Sequence, residues 1–179
     1  LGIVTKIVLK LLSKNTHNVL MLVPFYKANE ACEAVSAIFR AGIVPSALEF
    51  MERDAIDWAL EYIDGLNVQV KNEIQAHLLI EVDGNYPEIL MADAEKIMTV
   101  VEQFQIDDIL FADTEDEKNA LWKMRRSIAE AVKANSIYKE EDTVVPRYEL
   151  PTLLEGIKSI GKKYGFKSVC YGHAGDGNL

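Results

Sequence analysis

The stretch Ala76-His77-Leu78-Leu79-Ile80-Glu81-Val82 decides the fold class, because it is the clearest predicted strand in the sequence. Its middle is an almost unbroken apolar run, and the turn-forming residues Asp83, Gly84 and Asn85 end it. A short apolar run bounded by turn residues is typical of a buried strand. The rest of the fold is predicted from the elements that flank this strand along the chain.

Upstream of this strand, two further strands alternate with two amphipathic helices. The strands are predicted at residues 19–25 and 47–51, and the helices at residues 30–41 and 54–63. In each helix the apolar residues recur at a spacing of three or four, and a glycine follows the last turn. The first half of the chain therefore predicts a repeated strand and helix pattern.

Downstream, three helices and two short strands follow. In order, they are a helix beginning at Pro87, a strand at residues 109–112, a helix beginning after Thr114, a helix beginning at Pro151 and a strand at residues 167–171. Thr114 and Glu117 have the spacing of a capping box, in which each side chain accepts a hydrogen bond from the other residue's backbone N–H.

This order of elements predicts an α+β fold with a ferredoxin-like arrangement. We expect a mixed or antiparallel sheet with helices on one face. A doubly wound parallel sheet is the alternative, but no Gly-x-Gly-x-x-Gly motif follows the first strand, as such dinucleotide-binding folds often have.

The N-terminal residues predict a domain boundary. In residues 3–12 the side chains point alternately to two sides, as in a half-buried strand, and a polar linker follows at residues 13–18. We therefore assign residues 1–14 to the last strand of a preceding domain and residues 18–179 to a second domain. Because the sequence opens within a predicted strand and without Met, we expect it to be part of a longer protein.

The composition limits the possible function classes. A hydrophobic content of 49% is sufficient for a buried core. The 28 acidic residues outnumber the 19 basic ones, which argues against nucleic acid or an anionic membrane surface as partner, because both need a basic patch. No apolar stretch approaches the ~20 residues that span a bilayer. Cys32 and Cys170 are interpreted as unpaired core thiols of a reducing compartment.

The loop at residues 172–179 carries the first candidate site residue. His173, Asp176 and Asn178 lie between three glycines, so the backbone can turn sharply and approach a ligand closely. An imidazole held in such a loop can ligate a metal or hydrogen-bond a substrate. The alternative is an ordinary glycine-rich turn, which local chemistry alone favours, since one histidine makes no metal site.

Arg125 is the second candidate, because a guanidinium can bind a carboxylate through two parallel hydrogen bonds. The alternative is an ordinary ion pair with Glu130 or another surface acid, and without further information we favour that interpretation. Lys139 and Arg147 could add positive charge nearby. The strand residues Glu49 and Glu81 are interpreted as structural carboxylates that are satisfied by hydrogen bonds.

Six segments, taken together and in order, resemble FAD-linked oxidases of the glycolate oxidase subunit and D-lactate dehydrogenase type. They are residues 1–12, 41–51, 78–84, 122–125 (Trp-Lys-Met-Arg), 141–147 (Glu-Asp-Thr-Val-Val-Pro-Arg) and 172–179 (Gly-His-Ala-Gly-Asp-Gly-Asn-Leu). The segments cover nearly the whole chain, and the last is close to the hallmark sequence of the family.

The resemblance implies that the chain is the C-terminal substrate domain of a flavin-dependent 2-hydroxy-acid dehydrogenase, with residues 1–14 as the last strand of the flavin-binding domain. Arg125 matches the arginine that binds the substrate carboxylate, and Lys139 lies near a substrate-binding lysine. His173 matches the first histidine of a site for a divalent metal such as zinc, close to the reacting hydroxyl. The other metal ligands would follow Leu179, so the domain is expected to be incomplete at its C-terminus.

The resemblance also implies that FAD is bound mainly by the N-terminal domain and accepts a hydride from a small 2-hydroxy acid. We therefore expect this chain alone to bind no FAD stably and to be inactive. The family implies an electron-transfer or iron–sulfur partner, and a location in the cytoplasm or at the membrane periphery through that partner. Two other classes stay open: a stand-alone module that binds a small ligand or a protein, and a structural or oligomerisation domain.

Overall fold

The computed structural model describes residues 2–66 and 68–179. The strands are β1 (His17–Phe25), β2 (Ala47–Glu52), β3 (Ala76–Gly84), β4 (Leu110–Phe111) and β5 (Tyr171–Gly172). The helices are α1 (Ala28–Arg40), α2 (Arg53–Tyr62), α3 (Pro87–Val101), α4 (Glu115–Asn135) and α5 (Leu150–Tyr164). Single turns of 3-10 helix lie at Arg147–Glu149 and Ala174–Asp176.

The five strands form one antiparallel sheet in the order β4-β1-β3-β2-β5. The stretch that opened the sequence analysis is its central strand, β3, which pairs with β1 from Ala76 opposite Phe25 to Gly84 opposite His17. Helix α1 connects β1 to β2 and α3 connects β3 to β4, which gives the ferredoxin-like order. The predicted α+β fold class is confirmed. Helix α2 and strand β5 are additions to the ferredoxin-like core.

Helices cover both faces of the sheet, whereas the sequence analysis expected them on one face. Leu78 and Ile80 of β3 belong to the apolar cluster formed with α1, α3 and α5. Leu79, between them, belongs to a second cluster with α2 and α4. Successive strand residues point to opposite faces, so an unbroken apolar run has two faces to bury. Helices α2 and α4 cover the face that the simple ferredoxin-like arrangement leaves open.

The N-terminal segment differs from its prediction. Residues 2–16 form no strand in the structure, although their alternation predicts one at residues 3–12. The side chains of Ile3, Val8 and Leu11 are largely exposed. A strand needs a neighbour to accept and donate its backbone hydrogen bonds, and no described strand lies alongside this segment. The assignment of residues 1–14 to a preceding flavin-binding domain stays a prediction.

The C-terminal strand is shorter than predicted and is held in place by side chains. Glu52 of β2 accepts hydrogen bonds from the Cys170 backbone amide at 2.9 Å and from the Lys158 ammonium at 2.6 Å, which attaches the residues before β5 to α5. Cys32 and Cys170 are both buried free thiols, and burial raises the pKa of Cys170 to about 11. No helix in the described ranges is long and apolar enough to cross a bilayer.

Candidate active site

Helix α4 begins at the predicted capping box. The Glu117 amide donates to Thr114 Oγ1 at 3.2 Å, and the Thr114 amide donates to Glu117 Oε2 at 2.9 Å. These hydrogen bonds lower the pKa of Glu117. From this start, Trp122 and Arg125 fall three residues apart and lie on the same side of the helix. That side faces the strands β2 and β3.

Trp122 and Arg125 each meet an acid on a strand. Trp122 Nε1 donates to Glu81 Oε2 at 3.0 Å, and Asn18 of β1 donates to Glu81 Oε1 at 2.6 Å. Glu81 is therefore a structural carboxylate satisfied by hydrogen bonds, as predicted. Arg125 contacts Glu49, the equivalent acid on the neighbouring strand β2. Glu130, which the sequence analysis offered as a partner of Arg125, pairs instead with Lys133. The ion pair of Arg125 with Glu49 is more buried than that of Lys133 with Glu130.

Glu49 joins the two main candidate residues. Its Oε2 accepts a hydrogen bond from Arg125 Nε at 3.0 Å and forms an ion pair with Nη2 at 2.8 Å, and its Oε1 lies 2.8 Å from His173 Nδ1. Glu49 is only 5% exposed, and the Arg125 side chain is 11% exposed. Arg125 and His173 are separated from Glu49 by 76 and 124 positions in the chain, and both converge on its buried carboxylate. We refer to Arg125, Glu49 and His173 as the Glu49 junction.

Arg125 keeps one edge directed away from Glu49. Its guanidinium carbon lies 5.5 Å from the centre of the Tyr171 ring, within cation–π distance, and burial raises the pKa of that tyrosine. Arg125 Nη1 makes no hydrogen bond to the described residues, and it is not among their fully buried unpartnered atoms, which are Ser36 Oγ and His77 Nδ1. The described residues therefore leave the donor capacity of Nη1 unused.

His173 sits in the predicted glycine-rich loop, which pairs with the segment at residues 143–145. The Val145 amide donates to the Gly177 carbonyl at 2.9 Å, and Thr143 and Leu179 exchange two backbone hydrogen bonds at 3.0 Å. Gly177 has φ +80°, and a Cβ there would overlap the Val145 carbonyl oxygen. Two segments named separately in the sequence analysis are therefore one structural unit. This unit presents His173 with 65% of its side chain exposed.

A cavity of about 230 Å³ opens beside the Glu49 junction. Its lining includes Glu49 and His173 together with Ser46, Arg147 and Asp176. Arg125 is not part of the lining and reaches the cavity only through Glu49. A second cavity, of about 310 Å³, lies beside His77 and the ion pair of Lys71 with Asp107, and includes none of the three junction residues.

Arg147 brings a second guanidinium to this cavity. Its carbon lies 3.8 Å from the centre of the Phe39 ring, and its Nε donates to the Gly175 carbonyl. The backbone contact holds the turn after His173. The sequence analysis named Arg147 as an additional positive charge, and the structure places it at the candidate site.

Lys139 is placed differently from the other candidates. It lies between α4 and the Arg147–Glu149 turn, is 84% exposed and pairs with Glu141. No contact of Lys139 with the Glu49 junction is present in the described ranges. Its role in binding substrate stays a prediction.

The metal prediction is not supported by the described residues. Within the described part of the chain, no group of three or more His, Cys, Asp or Glu side chains could hold a metal ion. His173 nevertheless has the environment of a ligating histidine, because such histidines commonly donate their second ring N–H to a carboxylate, as Nδ1 can to Glu49. The described residues thus fit a single ligand and not a complete site.

The fold and this junction define a class of protein, an α+β domain with a cluster of charged side chains on one face of a ferredoxin-like sheet. Residues 14–179 match the profile of the family described as FAD linked oxidases, C-terminal domain. The match covers most of the chain, so the chain belongs to this family.

Relatives with described names agree with this assignment. D-lactate dehydrogenase of Anaerostipes hadrus is 33% identical, glycolate oxidase subunit GlcD of Bacillus subtilis (strain 168) 35%, and glycolate oxidase subunit GlcD of Escherichia coli (strain K12) 31%. Each alignment covers 100% of this chain but only 38%, 37% and 35% of the respective relative. The chain therefore spans little more than a third of the length of these proteins.

Proposed function

We propose that this chain is the substrate-side part of a flavin-dependent 2-hydroxy-acid dehydrogenase or oxidase of the glycolate or D-lactate class. The observation that carries the proposal is the Glu49 junction, which brings an imidazole and a guanidinium to the same carboxylate. A 2-hydroxy acid presents a carboxylate and a hydroxyl on adjacent carbons. It is therefore matched by a cation and a hydrogen-bonding group held close together. The names of the relatives support the same substrate class.

In this proposal Arg125 binds the substrate carboxylate. One edge of its guanidinium is bound to Glu49, so the side chain is held in one orientation before substrate arrives. Nη1, which has no hydrogen-bond partner among the described residues, donates to the ligand. Because the group is largely buried, its hydrogen bonds to a carboxylate are stronger than they would be in water.

His173 acts on the substrate hydroxyl through Nε2. With Nδ1 engaged by Glu49, Nε2 is the ring nitrogen on the exposed side, where it can accept the hydroxyl proton or take part in binding a divalent metal such as zinc. FAD, bound mainly by another domain of the complete protein, supplies the hydride acceptor when it is present. The residues of this chain orient the hydroxy acid and handle its proton.

The proposal is tested in the complete flavoprotein with Arg125→Lys and Arg125→Ala. Anaerobic flavin reduction by glycolate and by D-lactate gives kcat/KM. We expect a loss of about 10- to 150-fold for Arg125→Ala, the equivalent of the ~1.5–3 kcal/mol of a hydrogen bond to a charged group. Arg125→Lys should lose less, since it keeps the charge but not the planar fork.

The matched control is Arg126→Ala. Arg126 is the next residue on α4, and its guanidinium lies over the Trp122 ring at 5.1 Å instead of on Glu49. We expect this variant to keep the wild-type kcat/KM. Equal values for Arg125→Ala and wild type, in folded protein, would show that the chain does not bind the acid at this junction, and would favour a structural domain.

A further inference from the structure

Glu49 is a buried acid that no part of the proposed reaction uses directly. It is only 5% exposed and, in the proposal, does not contact the substrate, yet each of its oxygens is bound to a different site residue. A buried charge is costly unless it is paired and hydrogen-bonded, and Glu49 is both. It lies on β2, between β3 and β5, opposite Leu79 of β3.

The contact with His173 determines which ring nitrogen carries the proton. A carboxylate can only accept hydrogen bonds, so Oε1 at 2.8 Å selects the tautomer with the proton on Nδ1. The lone pair is then on Nε2, at the exposed side of the ring. Without the carboxylate, nothing among the described hydrogen bonds of His173 would distinguish the two tautomers.

The contact with Arg125 determines which edge of the guanidinium remains available. Nε donates to Oε2 and Nη2 lies 2.8 Å from the same oxygen, while the Tyr171 ring lies 5.5 Å from the guanidinium carbon. This arrangement holds the guanidinium against Glu49 and leaves Nη1 without a hydrogen-bond partner among the described residues. Both reactive groups therefore take their orientation from a single side chain.

We propose that Glu49 is a positioning residue that holds His173 and Arg125 in the relative positions needed to bind one 2-hydroxy acid. This inference rests on the proposed function. Glu49 orients His173 so that Nε2 can contact the substrate hydroxyl, and orients Arg125 so that Nη1 can contact the substrate carboxylate. When no substrate is bound, Glu49 also neutralises the charge of the buried guanidinium. It therefore links the proton-handling half of the site to the carboxylate-binding half.

The first test is a measurement of the His173 tautomer. The chain contains three histidines, so ¹⁵N-histidine labelling of the 179-residue chain gives few signals, and His173→Gln identifies the one that belongs to His173. We expect the Nδ1-protonated form in the wild type and a mixture of tautomers in Glu49→Ala. The matched control is Glu81→Gln, which alters the other acid on this face, bound to Asn18 and Trp122, and should leave the His173 signal unchanged.

The second test is kinetic and uses the complete flavoprotein. Loss of a carboxylate that orients a site histidine typically costs about 10–100-fold in activity. We expect Glu49→Gln to lower kcat by that amount while KM for the hydroxy acid changes less than in Arg125→Ala, because the guanidinium remains. Glu49→Asp keeps the charge but is one methylene shorter, so it should fold and yet show an intermediate kcat. It serves as the decisive variant should Glu49→Gln fail to fold.

The outcomes separate this inference from the proposed function. A Nδ1-protonated His173 in both wild type and Glu49→Ala, or a wild-type kcat in Glu49→Asp and in folded Glu49→Gln, would overturn the role of Glu49 even if Arg125→Ala lost activity. An equal loss of kcat in Glu81→Gln would also overturn it, since the effect would then reflect the stability of the sheet. No effect of Arg125→Ala would instead overturn the proposed function.

Discussion

At the scale of single residues, His77 predicts how the stability of this domain depends on pH. It is a buried histidine of β3, 3% exposed, and its Nδ1 has no hydrogen-bond partner in the described structure. Burial, with a smaller contribution from the charge of Arg53, lowers its pKa from 6.5 to about 3. Between these two values the unfolded chain binds a proton that the folded chain does not.

The free energy of unfolding should therefore decrease as the pH falls below 6.5, and this loss should continue down to about pH 3. Linkage gives a loss of about 1.5 kcal/mol between pH 6.5 and pH 5 from this residue alone. Urea unfolding over that range measures it. The carboxyl groups with a lowered pKa, Glu30, Asp107 and Glu117, titrate at lower pH and so interfere little in this window.

The variant His77→Leu should flatten this pH dependence, because it removes the titrating group. It also removes an unpartnered buried nitrogen, so its unfolding free energy at pH 7 should equal or exceed that of the wild type. His17→Gln, at an exposed histidine of β1, is the matched control. An unchanged slope in His77→Leu would contradict the prediction.

Sequence analysis named two candidate site residues that the structure brings together, but not the acid that joins them. His173 and Arg125 were identified by their residue types, their surroundings and a family resemblance. Glu49 was interpreted as structural, because a pairing across 76 and 124 residues leaves no local pattern. The one available signal was a lone acid between the apolar residues Leu48 and Phe50. Such an acid must find a buried partner, but the sequence does not say which.

At the scale of the elements, the C-terminal loop predicts a position where a small substitution should be severe. Gly177→Ala would place a Cβ against the Val145 carbonyl and a non-glycine residue at φ +80°. Strain of this kind costs about 1–3 kcal/mol, and the overlap should also break the pairing between residues 143–145 and 177–179. We expect a lower free energy of unfolding and, in the complete flavoprotein, a lower kcat, since the loop carries His173.

Gly156→Ala is the control for this substitution. Gly156 lies within α5, and a Cβ there would meet no atom within 4 Å. Alanine is favoured over glycine inside a helix by about 1 kcal/mol, so this variant should be as stable as the wild type or more so. Chemical denaturation of both variants decides the matter. Equal stability of Gly177→Ala and Gly156→Ala would mean that the loop is not under the constraint described.

Elements with strong local signals were predicted well, and those that depend on distant partners were not. The helices were found from their apolar spacing, and α4 from the capping box at Thr114 and Glu117. The strand predicted at residues 3–12 is absent, and the one at 167–171 is reduced to Tyr171–Gly172. A helix forms most of its backbone hydrogen bonds internally, whereas a strand forms its backbone hydrogen bonds only with a neighbouring strand.

At the scale of the whole molecule, helix placement was the main difference from expectation. The ferredoxin-like pattern accounts for the strand order β4-β1-β3-β2. It does not account for α2 and α4, which cover the second face of the sheet because β1 and β3 carry apolar residues on both faces. This second layer of helices is needed for the proposed function, because the Glu49 junction lies between the sheet and α4. A sheet with one open face would leave Arg125 and Glu49 in water, where their ion pair would contribute little.

The same architecture predicts that the 179-residue chain does not retain FAD by itself. The cavity at the junction measures about 230 Å³, below the ~300–1,000 Å³ typical of sites for drug-sized ligands, and FAD is larger than such ligands. The diphosphate of FAD is anionic, and the net charge of −9 on the chain disfavours its binding. After incubation with FAD and gel filtration, the flavin absorbance should elute with the small molecules, whereas the complete flavoprotein should keep it. A stoichiometric flavin peak with the chain would mean that the flavin site lies within these residues, and the division into a substrate side and a flavin side would have to be abandoned.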